Sequence, residues 1–289
     1  METVVLWVLK GSLFLSVLAL GLRATTRDAT HLLRQPEPLA RALLSMNGVM
    51  ALVAVVMIAS YDFHPVVKLA LGAIAVSPVP PLLPRRALKA GGQTSYTVGL
   101  LVAAALASIV MIPLSMAVLQ RLFHVPLRMS AVSVALLALA TVLAPLAAGM
   151  LVRRLAPSLS AHVARPLGAV AMALLLASLV PVLYAARHDM GALIGNGTLA
   201  AFIIFSVIGL GVGHVLGRPD GENRVVLALC TATRHPAMAI AIAHTNFPDE
   251  KRAPAAVVLY FLVTALVSGL YLAWYKRASA RTAVRREQH

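Results

Sequence analysis

The feature that most constrains this chain is a rhythm. Apolar runs of about twenty residues recur from end to end, separated by short polar loops. An α-helix needs about 20 apolar residues to cross the hydrocarbon of a bilayer. Nine runs meet that length, at roughly 4–22, 42–60, 66–89, 95–120, 130–152, 166–186, 195–217, 224–246 and 253–275. Only 12% of the residues are charged and 60% are hydrophobic, against roughly 25% charged in a soluble domain. The reading is an all-α polytopic membrane protein of about nine helices, forming a single membrane domain over residues 1–289.

The formal charge of +15 does not point to nucleic acid, because the basic residues form no stripe with interleaved aromatics. They lie between the apolar runs, as the positive-inside rule expects. The loops after the odd-numbered runs, with the tail at 276–289, hold 17 of the 25 Lys and Arg residues; the other loops hold 5, namely Arg121, Arg128, Arg187, Lys251 and Arg252. Lys10, Lys68 and Arg234 fall inside runs. This split places the N-terminus outside and the C-terminus in the cytoplasm of an inner (plasma) membrane. The first run carries Lys10 in its core and no A-x-A pattern after it, so it reads as a retained helix rather than a signal peptide. A single cysteine, Cys230, excludes an intramolecular disulfide. No metal-ligand spacing, phosphate-binding loop or nucleophile–base pair is present, so neither an enzyme, a metal centre nor a cofactor is expected. Asn196-Gly197-Thr198 fits the glycosylation pattern and equally a turn.

Two of the nine runs break in the middle. In the third, Ser77 is followed by Pro78, Pro80, Pro81 and Pro84. In the eighth, Pro236 follows Arg234 and His235 within LALCTATRHPAMAIAIA. Proline removes a helical hydrogen bond and disfavours helical geometry in the residue before it. Freed backbone groups at membrane depth are tolerated only where protein or a water-filled cavity receives them. Paired breaks in the two halves of a polytopic chain mark the binding site of a transporter. Arg234 lies about ten residues from either end of its run, and all ten acidic residues fall in loops or tails. Its expected partners are therefore carbonyl oxygens, helix C-terminal ends or an anionic substrate. Thr231, Thr233, His235, Ser77 and Asn47 complete the candidate substrate-binding set; His235 is either a proton carrier or a packing residue. Asn47 is expected to bond a neighbouring helix or to touch substrate. Gly209, Gly213 and Gly217 give overlapping G-x-x-x-G spacing, which serves close helix packing or a dimer interface. Tyr271, Trp274 and Tyr275 read as an interfacial belt, and the Arg-rich tail as a partner of anionic headgroups.

These residues resemble the bile acid:sodium symporter family. The likeness runs from Val17-Leu18-Ala19-Leu20-Gly21-Leu22, Asp28 and Leu33-Arg34-Gln35-Pro36, through the break at Pro78 and the Ala90-Gly91-Gly92 junction, to Arg224–Phe247. The resemblance implies ten helices in two inverted five-helix repeats, with two broken helices crossing between a core and a panel domain. Set against that pattern, the resemblance implies that this chain lacks the first helix, and the nine that this leaves agree with the charge count. The repeats then fall at about 1–120 and 130–275, with the basic tail after them. The resemblance also implies a sodium site, and there this chain departs from the family. Cys230 stands in place of the family's Glu and Arg234 in place of its Gln, while Leu83 and Pro84 replace a small polar pair. Leu101 and Val102 occupy the region of the family's threonines.

The expectation is a secondary transporter of a small organic anion that works by alternating access. Sodium is disfavoured, and transport is either facilitated or proton-linked. The expected partners are that small-molecule substrate and the lipid bilayer. The alternatives are a sodium-coupled symporter, or a receptor or scaffold on the same fold; a membrane-embedded enzyme is more distant.

Overall fold

The computed structural model describes residues 2–80, 87–88, 91–123, 130–195, 197–219 and 221–287. Among them the regular structure is entirely helical. The helices are α1 (Glu2–Gly21), α2 (Pro36–Ser60), α3 (Pro65–Val76), α4 (Thr94–Phe123), α5 (Ala131–Leu155), α6 (Pro157–Leu193), α7 (Thr198–Leu216), α8 (Gly221–Ala232), α9 (Pro236–Asn246) and α10 (Ala253–Glu287). Among the described residues, and taking α8 and α9 as one interrupted span, seven helices are long and apolar enough to cross a membrane; the stretch Trp7–Gly21 of α1, and α3, are shorter apolar helices. The chain is an all-α polytopic membrane protein.

Local chemistry sets the ends that matter. Pro65 opens α3, where its missing N–H costs nothing, and the His64 ring accepts the Val66 N–H at 3.3 Å. α3 stops at Ser77 because Pro78 follows, and Ser77 Oγ donates to the carbonyl of Ile74 at 2.9 Å. α8 stops at Ala232, and Pro236 opens α9. Residues 87 and 88 are helical again. Their turn is closed by Gly91, whose φ of +93° suits glycine, and by the Gly92 N–H bonding Ala87 O at 2.9 Å.

Two groups of helices emerge from the packing. α1, α5 and α6 pack on one another. Gly21 and Gly149 let α1 and α5 meet backbone to backbone, and Ser160 Oγ on α6 donates to Leu22 O at 2.6 Å. The other group is built around α3, α8 and α9. The window that spans α8 and α9 is 78% buried, against 11% for α6, so the broken helix lies at the centre and α6 at the rim.

The buried apolar residues divide into two clusters. One holds Val17, Leu32, Met46, Leu100, Leu101 and Val225–Cys230. The second holds Met50, Leu71, Ile74, Ile112, Phe202, Phe205, Met238 and Tyr260. Several helices contribute to both, and on α4, α7 and the broken helix the change of cluster falls at buried polar residues. On α4 Ser108 separates Ala105 from Ile112, and on α7 Ser206 separates Phe205 from Leu210. The broken helix changes cluster across Thr231, Thr233, Arg234 and His235. A polar layer thus runs between two apolar halves, and both breaks lie in it.

Candidate functional site

The two breaks touch. The backbone N–H of His235 donates to Pro78 O at 2.8 Å. This joins the residue that proline forces out of helical geometry in one break to a carbonyl that proline frees in the other. A second contact forms further along, where Gly92 presses against the Val226 side chain on α8.

Arg234 fills the crossing. It is 2% exposed, and among the described residues it makes no ion pair with a carboxylate. Its Nη1 donates to Ser77 O at 3.1 Å, and its Nη2 donates to Met46 O. Met46 lies in a π-helical turn of α2, Leu44–Val49. Such a turn shifts the hydrogen-bond ladder by one residue and is common at functional sites, and here one of its carbonyls receives the guanidinium. Arg234 therefore pins α2 and both breaks together. The C-terminal end of a helix carries about −0.5 of an elementary charge. Two such ends, at α3 and α8, converge beside one guanidinium, so the charges roughly cancel.

The other carbonyl ends are met by hydroxyls. Tyr260 on α10 donates to Ala232 O, the last residue of α8. Ser206 Oγ and Thr264 Oγ1 bond each other at 2.7 Å, on the helices facing that end. Thr231 Oγ1 pairs with Ser45 Oγ of the π-turn. Thr233 is buried and donates its N–H to Leu229 O at 2.9 Å. Cys230 is buried with a free thiol. His235 caps α9, and its Nδ1 accepts the Met238 N–H at 3.4 Å.

Of the sequence-expected residues, Arg234, His235, Thr231, Thr233, Ser77, Pro78 and Pro236 gather at the crossing, while Pro80 is buried just beyond Ser77. Asn47 lies on the same π-turn, beside the crossing residues. It makes no side-chain hydrogen bond to another described residue; the π-turn instead presents Ser45 Oγ and Met46 O to the crossing and leaves Asn47 half-buried. Pro81, Leu83 and Pro84, with the Arg85-Arg86-Lys89 cluster, lie outside the described residues. Leu101 is buried in the apolar core and supplies no oxygen ligand. Ser45, Ser206, Tyr260 and Thr264 escaped sequence reasoning. Their only signal is a lone hydroxyl in an apolar run. The glycine stripe packs inside the chain, with Gly209, Gly213 and Gly217 against Ala232, Ala228 and Arg224 of α8.

Interrupted helices that cross in a polar layer are a recurring device of membrane transporters. Residues 12–193 match the family model described as the Sodium Bile acid symporter family, and the chain belongs to that family. No curated protein matches the chain in sequence. The family match ends before α8, so the crossing segment that carries Cys230 and Arg234 lies outside it.

Proposed function

We propose that this chain carries a small organic anion across the membrane by alternating access, without sodium. The observation that carries the reading is the Arg234 guanidinium bound to the Ser77 and Met46 carbonyls. Secondary transporters commonly use unwound carbonyls and half-helix C-terminal ends to coordinate a coupling cation. In this chain a side chain supplies the cation permanently, and Cys230, in the position of the family's Glu, offers a buried thiol instead of a carboxylate. The helices move as two bodies, α1, α5 and α6 against the rest, and the repeats fall at about 1–120 and 130–275. The basic loops and the tail face the cytoplasm, and the N-terminus faces outward.

The test is thermal unfolding of the purified protein in detergent, with sodium titrated against potassium and then with a panel of organic anions. Arg234→Gln is measured alongside. A ligand at 100 times its Kd stabilises the folded state by about 2.7 kcal/mol. The reading expects no response specific to sodium, and an anion response that Arg234→Gln abolishes. A sodium response in the wild type would restore a sodium-coupled symporter. A silent panel, with no uptake into vesicles, would favour a receptor or scaffold.

A further inference from the structure

We infer that the basic end of α10 holds one anionic phospholipid, with its headgroup on Arg277 and its chains along Trp274 and Leu270. The inference is independent of what the crossing binds.

α10 has 35 residues, which is about 52 Å at 1.5 Å per residue. The hydrocarbon of a bilayer is about 30 Å thick, so one end of α10 emerges among the headgroups. Its apolar span closes at Ala278. One face of α10 turns inward, where Tyr260, Thr264, Tyr271 and Tyr275 bond Ala232, Ser206, His214 and Gly221. A second face looks outward. On it Leu266, Leu270 and Trp274 are 72%, 73% and 55% exposed, and Arg277 follows them, exposed as well. A groove of about 380 Å³ lies on this face, lined by Leu270, Ala273, Trp274, Arg277 and Ala278. Its apolar wall ends in a cation, at the depth where hydrocarbon gives way to headgroups.

The Trp274 ring is held in place. Its centroid lies 5.7 Å from that of His214 and 5.8 Å from that of Tyr271. Tryptophan favours the headgroup level, and its N–H is a donor only. Arg277 makes no ion pair with another described residue. A guanidinium fork matches phosphate oxygens, which accept two parallel N–H bonds. Two donors at the edge of an apolar wall call for a ligand with an anionic head and long apolar chains. A free phosphate would leave Leu270 and Trp274 uncovered. The surroundings set the net charge of the head. In the turn between α7 and α8, which Tyr275 contacts, Arg218 and Arg224 are offset by Asp220 and Glu222. After Glu250 the only acidic residue is Glu287, so the charge of Lys276 and Arg277 is left for the lipid. A zwitterionic lipid brings a cation of its own to this surface, and an anionic one does not.

The chain has two tryptophans, Trp7 and Trp274, so Trp7→Phe leaves Trp274 as the reporter. That protein is placed in vesicles of equal parts phosphatidylglycerol and phosphatidylcholine, with one lipid or the other brominated on its chains. Bromine quenches tryptophan fluorescence on contact, and the two quenching levels give the ratio of affinities at Trp274. The expected ratio favours phosphatidylglycerol by at least about threefold. Arg277→Gln should bring it to about one, whereas Lys276→Gln, which removes the same charge from outside the groove, should keep it above about two. Both side chains are exposed, and circular dichroism checks that each variant folds. The ratio in the Trp7→Phe protein depends on neither of them. A ratio near one in that protein overturns the inference. So does an equal loss in the two charge variants, which would mean diffuse attraction by the basic tail. It also falls if inorganic phosphate at matched ionic strength abolishes the preference, which would make the groove a site for soluble anions.

Discussion

Replacing Gly213 with alanine tests how the broken helix is held. A Cβ at Gly213 would sit 2.5 Å from both Ala228 Cα and Leu227 O, and 2.8 Å from Ala228 N. Carbon contacts settle at about 3.5–4.0 Å, so the new methyl group is short of room by about 1 Å. The obstacles belong to the α8 backbone, and no flexible side chain can yield. On the same stripe, a Cβ at Gly209 would sit 2.9 Å from Ala232 Cα and one at Gly217 would sit 2.6 Å from Arg224 Cα. Relief at Gly213 therefore means drawing α7 off α8 over several turns. Overpacking costs about 1–3 kcal/mol, and the shared stripe puts this case at the upper end. Alanine regains up to about 1 kcal/mol of helix propensity, which leaves a net loss of about 2 kcal/mol. Gly211→Ala, on the same helix with nothing within 4 Å of its Cβ, keeps only the gain and serves as the control. Unfolding in mixed micelles by titrated SDS, followed by circular dichroism, measures both. If Gly213→Ala proved as stable as Gly211→Ala, the internal role of the stripe would be wrong and an intermolecular one would replace it.

Tyr260→Phe removes the hydroxyl bound to Ala232 O and leaves a buried carbonyl unpaired, at a cost of about 1–3 kcal/mol in the same assay. Ser45→Ala and Thr231→Ala should couple in a double-mutant cycle by about 0.6 kcal/mol, the average for hydrogen bonds between membrane helices; a coupling of zero would mean that the π-turn is not tied to α8. Asp189→Asn should leave stability unchanged within about 0.5 kcal/mol, since its pair with Arg252 is 4.0 Å long and both side chains are about half exposed. A larger loss would show that this contact between α6 and the start of α10 holds the two bodies together.

The sequence made the scaffold legible because the bilayer leaves few options. Long apolar runs must be helices, and prolines next to polar residues located the breaks at Ser77-Pro78 and His235-Pro236 correctly, whereas Pro113 in α4 and Pro166 and Pro181 in α6 sit inside continuous helices. It also made the need of Arg234 legible, since the placement of the ten acidic residues left carbonyls as its protein partners. The identity of those partners was not legible. Met46 is 188 residues away from Arg234, and its carbonyl is available because of a π-turn that LSMNGV does not announce. Ser206, Tyr260 and Thr264 were missed for a related reason, because a hydroxyl in an apolar helix does not reveal which neighbour it faces. Asn47 drew attention as the most polar residue of its run, yet the wide turn presents Ser45 and Met46 to the crossing instead. Tyr271, Trp274 and Tyr275 read as an interfacial belt, and nothing in the sequence signals that in the fold they also surround His214 of α7, whose Nδ1 pairs with the Tyr271 hydroxyl at 2.8 Å.

The guanidinium at the crossing has an electrical consequence. Arginine does not lose its proton in proteins, and the helix ends that balance Arg234 are dipoles whose opposite poles travel with them. They cancel its local field and leave the body that carries it with one net positive charge. On the alternating-access reading, a monovalent anion makes the loaded carrier neutral and the empty carrier positive. A full elementary charge crossing 100 mV exchanges about 2.3 kcal/mol with the field. Membrane voltage then acts on the return of the empty carrier rather than on the loaded step. A carrier whose cation arrives and leaves with its cargo has no such fixed charge, whereas here the voltage sensitivity is written into the polypeptide.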